Sequence, residues 1–305
     1  MHAITRTLMA GVAALGLMTG TGGAADKISV VTTTTTDLEA WTEMGGEIAD
    51  VDSLTRGTQN PHDLEVRPSL MVKVHRADVL IVNGLDLDNW VDLVVQGANN
   101  ARVTPGAPGY VDVSRGVPVL DVPRTRVDRA MGDVHPLGNP HYTLDPGMAP
   151  IVTANILEGL ARAAPQLRAA LEKNRQDFLA RLESAMTQWS RTLEPMKGAK
   201  VVTYHADWIY FLTRFGLVQV GAVEDRPGIP PTPGHLTQLI RRMKDDEVKV
   251  VIVEPWNDQK LAARIAEEGG AKAVVLAPGV GSAKGAATYL DMVGYNVNTL
   301  AQALR

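Results

Sequence analysis

Histidines in loops are the residues of this chain whose types and spacing could bind a metal ion. His135 and His141 lie six residues apart in a segment, GDVHPLGNPHYTLDP, whose glycines and prolines restrict the backbone. An imidazole on a rigid loop loses little further freedom when it binds a metal ion, and neutral imidazole is a common zinc ligand. The alternative interpretation is a tight surface turn that contains two polar side chains.

Two more histidines follow predicted strands. His62 lies in the loop after a predicted strand at residues 48–54, and His205 directly follows a predicted strand at residues 200–204. Open α/β sheets bind ligands beyond the carboxyl ends of their strands, so these positions favour a binding site between two halves of the chain. A hydrogen-bonded polar residue at a strand end is the alternative for each histidine. Since the chain contains no cysteine, any metal ion would have nitrogen and oxygen ligands.

Short apolar strands alternate with helical segments, which predicts an α/β fold of two lobes, each with a small parallel sheet covered by helices. We expect an N-terminal metal-binding lobe at residues 26–164, a linking backbone helix at 165–195 and a C-terminal metal-binding lobe at 196–305. The linking helix, periodic over 166–193, would span about 40 Å and limit hinge motion between the lobes. Further helices are predicted between the first two strands and at residues 85–100.

The N-terminus and the composition restrict the location and the partners of the protein. Residues 1–25 combine Arg6, an apolar run and a small-residue end, which is typical of a secretory signal peptide, so we expect a periplasmic protein that begins at Asp26. Without cysteine, no lipid anchor can be attached at the cleavage site. The formal net charge of −4 supplies no electrostatic reason to expect binding to nucleic acid or to an anionic membrane.

Four motifs together resemble the zinc and manganese solute-binding proteins of bacterial ABC importers. They are GTQNPHDLEVRPS around His62, GNPHYTLDP around His141, YHADWIYFLTRFGL around His205, and IVEPWNDQKLAARIAEEGGAKAVVL in the last third. The resemblance covers essentially the whole exported sequence. It implies two α/β lobes joined by a long rigid helix, with a metal ion buried between them and ligands at four positions, three of which match these histidines. Histidine at the third position favours zinc over manganese, as does a nitrogen-rich set of ligands.

The chain departs from the family at the fourth ligand. The family usually has an aspartate shortly after the last strand, whereas this chain has no carboxylate between Ala273 and Asp291. We predict Glu254, at the end of a strand, as the replacement, with Glu224 or a water molecule as alternatives. The family's long histidine-rich loop is also shortened, so that His135 is either a transient acceptor of metal or an ordinary loop residue. Glu65 is expected to hold the second nitrogen of His62.

The expected function is the capture of zinc in the periplasm and its delivery to an ABC permease in the inner membrane, by a monomer without enzymatic activity. One alternative is a manganese-binding protein of the same family. Another is a zinc hydrolase, because three histidines and a water molecule form a catalytic pattern, although no HExxH motif is present. A metallochaperone or an adhesin-like surface protein with the same fold is a third.

Overall fold

A computed structural model describes residues 27–34 and 49–305 of the chain. These residues form two parallel sheets of four strands each, surrounded by helices, which confirms the predicted two-lobe α/β architecture. The predicted signal peptide and the helix predicted between the first two strands fall outside the described residues. Within the described ranges, no helix has both the length and the apolar character needed to cross a membrane.

The first sheet has the strand order β2-β1-β3-β4. Its central strands are buried on both faces because helices cover each side, and side chains alternate between the two covers. In β3, for example, Val79 and Ile81 face one core, while Leu80 and Val82 face the other. The strands are β1 (Ile28–Thr32), β2 (Ala49–Ser53), β3 (Val79–Val82) and β4 (Tyr110–Asp112), and the helices are α1 (Pro68–Arg76), α2 (Val91–Ala98) and α3 (Ala149–Ala163).

The second sheet repeats this arrangement with the order β6-β5-β7-β8. All neighbouring strands are parallel, so the carboxyl ends of β5 and β7 lie at the same edge of the sheet. The strands are β5 (Lys200–Thr203), β6 (Val218–Ala222), β7 (Val250–Val253) and β8 (Lys272–Val275). The helices that follow the linking helix α4 (Arg168–Leu193) are α5 (Ile209–Phe215), α6 (Pro233–Asp245), α7 (Gln259–Gly269) and α8 (Tyr289–Ala303).

The linking helix α4 begins at Arg168, two residues later than its periodicity predicts, because a short 3-10 turn at Pro165–Leu167 precedes it. Its 26 residues span about 39 Å at 1.5 Å per residue. A buried apolar stripe that includes Leu171, Phe178 and Trp189 packs the helix against α3 of the first lobe and α8 of the second. The helix therefore contacts both lobes. The predicted domain boundaries stay a prediction.

Polar contacts also join the two lobes. The Tyr210 hydroxyl accepts a hydrogen bond from the Leu120 backbone N–H at 2.9 Å and donates one to the Asn139 carbonyl at 2.8 Å. Nearby, Arg214 forms a two-pronged ion pair with the buried Asp145, with distances of 2.6 and 2.9 Å. One continuous apolar core includes residues from both sheets. These contacts favour a fixed arrangement of the lobes.

The helix predicted at residues 85–100 is shorter in the structure and spans Val91–Ala98. Leu85 and Asp86 have φ angles of 53° and 69°, which lie in the left-handed region and are incompatible with a right-handed helix. The buried carboxylate of Asp88 stabilises this turn by accepting the backbone N–H groups of Asn83 and Gly84. Apolar periodicity alone could not predict this turn.

Candidate metal centre

Three imidazoles converge between the lobes. One ring nitrogen from each of His62, His141 and His205 lies within 4.8 Å of the other two. The Nε2 atoms of His62 and His141 are 3.1 Å apart. Two ligands of a tetrahedral zinc ion with bonds of about 2.0–2.1 Å are separated by about 3.3 Å, so the observed distance fits this geometry. The arrangement suits a metal ion bound from both lobes.

Backbone and side-chain contacts orient His62. This residue lies in the loop between β2 and α1, and its own N–H donates to the Asn60 side-chain oxygen at 3.1 Å. The Trp90 indole donates to the Pro61 carbonyl at 2.9 Å and thereby fastens the loop to the start of α2. The structure therefore places His62 on a short, restrained loop at the cleft, as the sequence predicts.

Asn139 positions His141 and connects it to the other lobe. Its side-chain oxygen accepts from the His141 backbone N–H at 3.1 Å and lies 3.0 Å from the Nδ1 atom of the same residue. Its amide group donates to the Ala206 carbonyl, next to His205, at 2.7 Å. Because an oxygen at Nδ1 favours a proton there, the Nε2 lone pair of His141 is available to a metal ion.

Glu224 performs the same task for His205. The Nδ1 atom of His205 lies 2.8 Å from the Glu224 carboxylate, and the same oxygen accepts the Gly228 backbone N–H at 2.8 Å. His205 is 8% exposed, and it is the second residue after the end of β5. A carboxylate at Nδ1 fixes the ring and makes the metal-facing nitrogen more basic.

Burial sets the protonation state of the cluster. Desolvation, followed by the neighbouring histidines, lowers the pKa values of His62 and His141 well below their usual range, so both rings are neutral at neutral pH. Burial also lowers the pKa of His135 to about 4. For His205, desolvation lowers the pKa, but the hydrogen bond to Glu224 and the nearby carboxylates outweigh it and raise the pKa overall. A metal ion must therefore displace a proton mainly at His205.

A small cavity surrounds the converging nitrogens. Its volume is about 60 Å³, and residues of both lobes line it, including Asp207, Glu224 and Trp256. A space of this size holds an ion and a few water molecules. The site is thus a small, partly open pocket.

Comparisons with known proteins agree with this geometry. A family profile described as zinc-uptake complex component A, periplasmic (ZnuA), matches residues 30–303. The chain belongs to the ZnuA family. It is 25% identical over 286 residues to the high-affinity zinc uptake system protein ZnuA of Bacillus subtilis, and the alignment covers 92% of this chain and 88% of that protein. The resemblance predicted from the motifs is therefore confirmed.

Other similar proteins differ in length and in the metal that their names give. A zinc-binding lipoprotein, AdcA of Streptococcus pneumoniae, is 25% identical over 83% of this chain, which spans only 50% of that protein. A zinc-bound ZnuA deletion mutant superimposes with a TM-score of 0.75, 25% identity and coverage of 91% and 98% of the two chains. A manganese-bound periplasmic protein of Candidatus Liberibacter asiaticus shares the fold, with a TM-score of 0.76, 19% identity and coverage of 92% and 100%.

In this member of the ZnuA family, Glu254 lies outside the cluster of ligand atoms. It is fully buried, and its two oxygens accept hydrogen bonds from Trp208 at 2.6 Å and from Asn257 at 2.7 Å. Glu254 also contacts Asp207, and burial followed by the Glu254 charge raises the pKa of Asp207 well above its usual value. The two carboxyl groups form a buried pair behind His205. Glu254 as the fourth ligand stays a prediction.

Of the other predicted residues, Glu65 lies away from the cluster and His135 lies beside it. Glu65 does not hold His62, because its carboxylate is exposed and pairs with Arg67. His135 lies beside the cluster, and its ring stacks on that of His62 with centres 5.1 Å apart. Sequence analysis missed Asn139 and Asp207. Their position two residues from a predicted ligand was the only sequence feature that could have indicated a role at the site.

Proposed function

We propose that this protein captures zinc in the periplasm and delivers it to an ABC importer, with His62, His141 and His205 as ligands. The convergence of three ring nitrogens within 4.8 Å, at a boundary between two lobes, supports the proposal most directly. Membership of the ZnuA family supports the transport role. The ion is cargo that the protein binds and releases, so no bond in a substrate is made or broken.

The ligand set supports zinc as the cargo. The converging atoms are all imidazole nitrogens, and such sites suit Zn²⁺, whereas Mn²⁺ favours more oxygen ligands. The Bacillus subtilis relative is a zinc uptake protein, which points the same way. The manganese-binding alternative is tested by direct competition between the two ions at equal concentration, in which zinc should occupy nearly all of the protein.

The size of the cavity supports capture over hydrolysis. A volume of about 60 Å³ admits an ion with a few water molecules, which suits a small ion better than an ester or a peptide. We therefore infer that the protein is not an enzyme. Hydrolysis of small esters or peptides by the purified protein, abolished by a chelator, would instead favour the three-histidine hydrolase.

The proposal includes the partner and the location. The partner is the permease of an ABC importer in the inner membrane, and the protein is a monomer released by cleavage after residue 25. The absence of cysteine from the whole sequence supports release without a lipid anchor. Mass spectrometry of protein taken from the periplasm should give an unmodified chain that begins at Asp26.

The decisive experiment measures metal content and zinc affinity of the purified protein. We expect one zinc ion per chain and a loss of affinity of at least about 100-fold in His141→Ala, because a ligand contributes more than an outer-shell partner, whose loss costs about 10–100-fold. His75→Ala is the matched control, since His75 lies on α1 and hydrogen-bonds to the Ala98 carbonyl. Absence of zinc binding in the unchanged protein, or equal affinity in His141→Ala, would contradict the proposal.

The prediction for Glu254 has its own test. If Glu254 binds the ion, Glu254→Gln should remove an oxygen ligand from the X-ray absorption spectrum of the zinc form. If its role is limited to Trp208 and Asn257, the variant loses thermal stability while the zinc coordination is unchanged.

A further inference from the structure

His135 contains a buried ring nitrogen without a hydrogen-bond partner. Its side chain is 9% exposed, and among the described residues its Nε2 atom has no partner. On the other side of the ring, Nδ1 lies 3.9 Å from a carboxylate oxygen of Asp86. Buried polar atoms without partners are rare, because they forgo the hydrogen bonds that water would provide. At the edge of a metal-binding cluster, such an atom indicates that a ligand completes its bonding.

The spacing of the rings places His135 next to the cluster of three histidines. In a tetrahedral zinc site with bonds of about 2.0–2.1 Å, neighbouring ring centres lie about 5 Å apart. The ring centre of His62 lies 5.1 Å from that of His135, 5.1 Å from that of His141 and 5.3 Å from that of His205. The His141 ring centre lies 5.9 Å from that of His205 and 6.4 Å from that of His135. His135 must therefore move closer to His141 to share an ion with the three clustered histidines.

The segment that contains His135 is fastened to the second lobe. The Asp133 backbone N–H donates to the Pro227 carbonyl at 2.7 Å, and the Arg226 guanidinium donates to the Ala130 carbonyl at 3.2 Å. Gly132 has a φ angle of 76°, which permits the close approach to this neighbouring loop. The segment thus crosses the cleft and covers the His62 ring with His135. These contacts keep His135 beside the His62 ring.

Some of the carboxylate oxygens near the site already accept hydrogen bonds. Both oxygens of Glu254 accept hydrogen bonds from neighbouring side chains, and one oxygen of Glu224 holds both His205 and the Gly228 N–H. Asp207 contacts Glu254, and its buried Oδ1 atom has no hydrogen-bond partner among the described residues. The Nε2 atom of His135 shares this property, and its ring also stacks on that of His62.

We propose that His135 binds the metal ion through Nε2 as the fourth ligand, so that four imidazoles surround the ion. This inference rests on the proposed function, because it concerns the same metal site. A ligand set of four neutral imidazoles also leaves no position open for a reactive water molecule.

X-ray absorption at the zinc edge, together with competitive zinc titration, tests this inference. The variants are His135→Ala and His135→Gln, and the second keeps a polar side chain in the loop if the first unfolds. His75→Gln is the matched control, and thermal unfolding of each metal-free variant verifies its fold. We expect four imidazole ligands in the unchanged protein, three plus an oxygen in the His135 variants, and an affinity reduced at least about 100-fold, more than the loss of an outer-shell partner costs.

The outcomes separate this inference from the proposed function. If the His135 variants keep the same number of imidazoles and an affinity within about threefold of the unchanged protein, His135 is not a ligand, while zinc capture stands. A change in coordination in Glu254→Gln but not in the His135 variants overturns the inference in the same way. If the unchanged protein binds no zinc, or if His141→Ala binds it equally well, the proposed function itself fails.

Discussion

Glu224 should determine both the affinity and the pH dependence of zinc binding. Its carboxylate lies 2.8 Å from Nδ1 of His205 and accepts the Gly228 N–H, so it fixes the ring and makes the metal-facing nitrogen more basic. In Glu224→Gln, the loss of this charge should lower zinc affinity by about 10–100-fold at pH 8, which corresponds to about 1.4–2.7 kcal/mol of binding free energy.

The raised pKa of His205 determines how zinc affinity changes with pH. Because the hydrogen bond to Glu224 and the nearby carboxylates raise the pKa of His205, a proton competes with zinc at this ring as soon as the pH falls through that raised value. In Glu224→Gln, the pKa of His205 is lower, and competition begins at a lower pH. The difference in affinity between the two proteins should therefore be largest at pH 8 and shrink as the pH falls.

Zinc titrations against a competing chelator, at pH values from 5.5 to 8, measure both effects. Glu65→Gln is the matched control, because Glu65 is exposed and pairs with Arg67 away from the histidines. Its affinity should equal that of the unchanged protein. An affinity for Glu224→Gln within twofold of the unchanged protein at pH 8, or a difference that grows on acidification, would refute the role of Glu224.

Three further predictions concern stability. In Arg214→Leu, the buried carboxylate of Asp145 loses its ionic partner, which should lower the free energy of unfolding by about 2–4 kcal/mol and Tm by about 5–10 °C. The loss is smaller than for a fully buried pair because the Arg214 side chain is 36% exposed. The control Lys173→Met breaks an exposed ion pair and should change Tm little. Zinc at 100 times Kd should stabilise the folded protein by about 2.7 kcal/mol, which raises Tm in calorimetry, and a chelator should reverse this rise. Equal Tm values with and without zinc would contradict binding to the folded state. Metal-free protein should lose stability as the pH falls from 6.5 towards 4, because His135 is protonated in the unfolded chain but stays neutral in the folded protein. The lowering of its pKa to about 4 corresponds to a loss of about 3 kcal/mol in the free energy of unfolding. Urea titrations should show a smaller loss for His135→Gln.

The architecture was predictable because its determinants are local. Apolar runs such as β3 and β7 are buried on both faces, as parallel strands under helices are, and His205 follows its strand as predicted. The late start of α2 was not predictable, because the left-handed backbone at Leu85 depends on the Asp88 carboxylate that fills the turn.

The three histidines could be proposed from sequence, but their supporting partners could not. Glu224 is 19 residues from His205 and reaches it only because β6 lies beside β5. The Asn139 side chain hydrogen-bonds to His141 and to the Ala206 carbonyl in the other lobe. A contact between residues so far apart in sequence cannot be predicted from a local sequence pattern. Glu65 was predicted from proximity to His62 in sequence, yet its exposed position gives it Arg67 as partner instead.

The fixed connection between the lobes affects how empty and loaded protein compete for the importer. Because α4, the Asp145–Arg214 pair and a shared core hold the lobes together, empty and loaded molecules should differ in outline only around the metal. An importer that recognises the outer surfaces of both lobes would therefore dock either form, and empty carriers would occupy docking sites that loaded ones need. The rate of uptake would then follow the loaded fraction of the population, so that producing more carrier at scarce zinc would slow uptake once the docking sites are saturated.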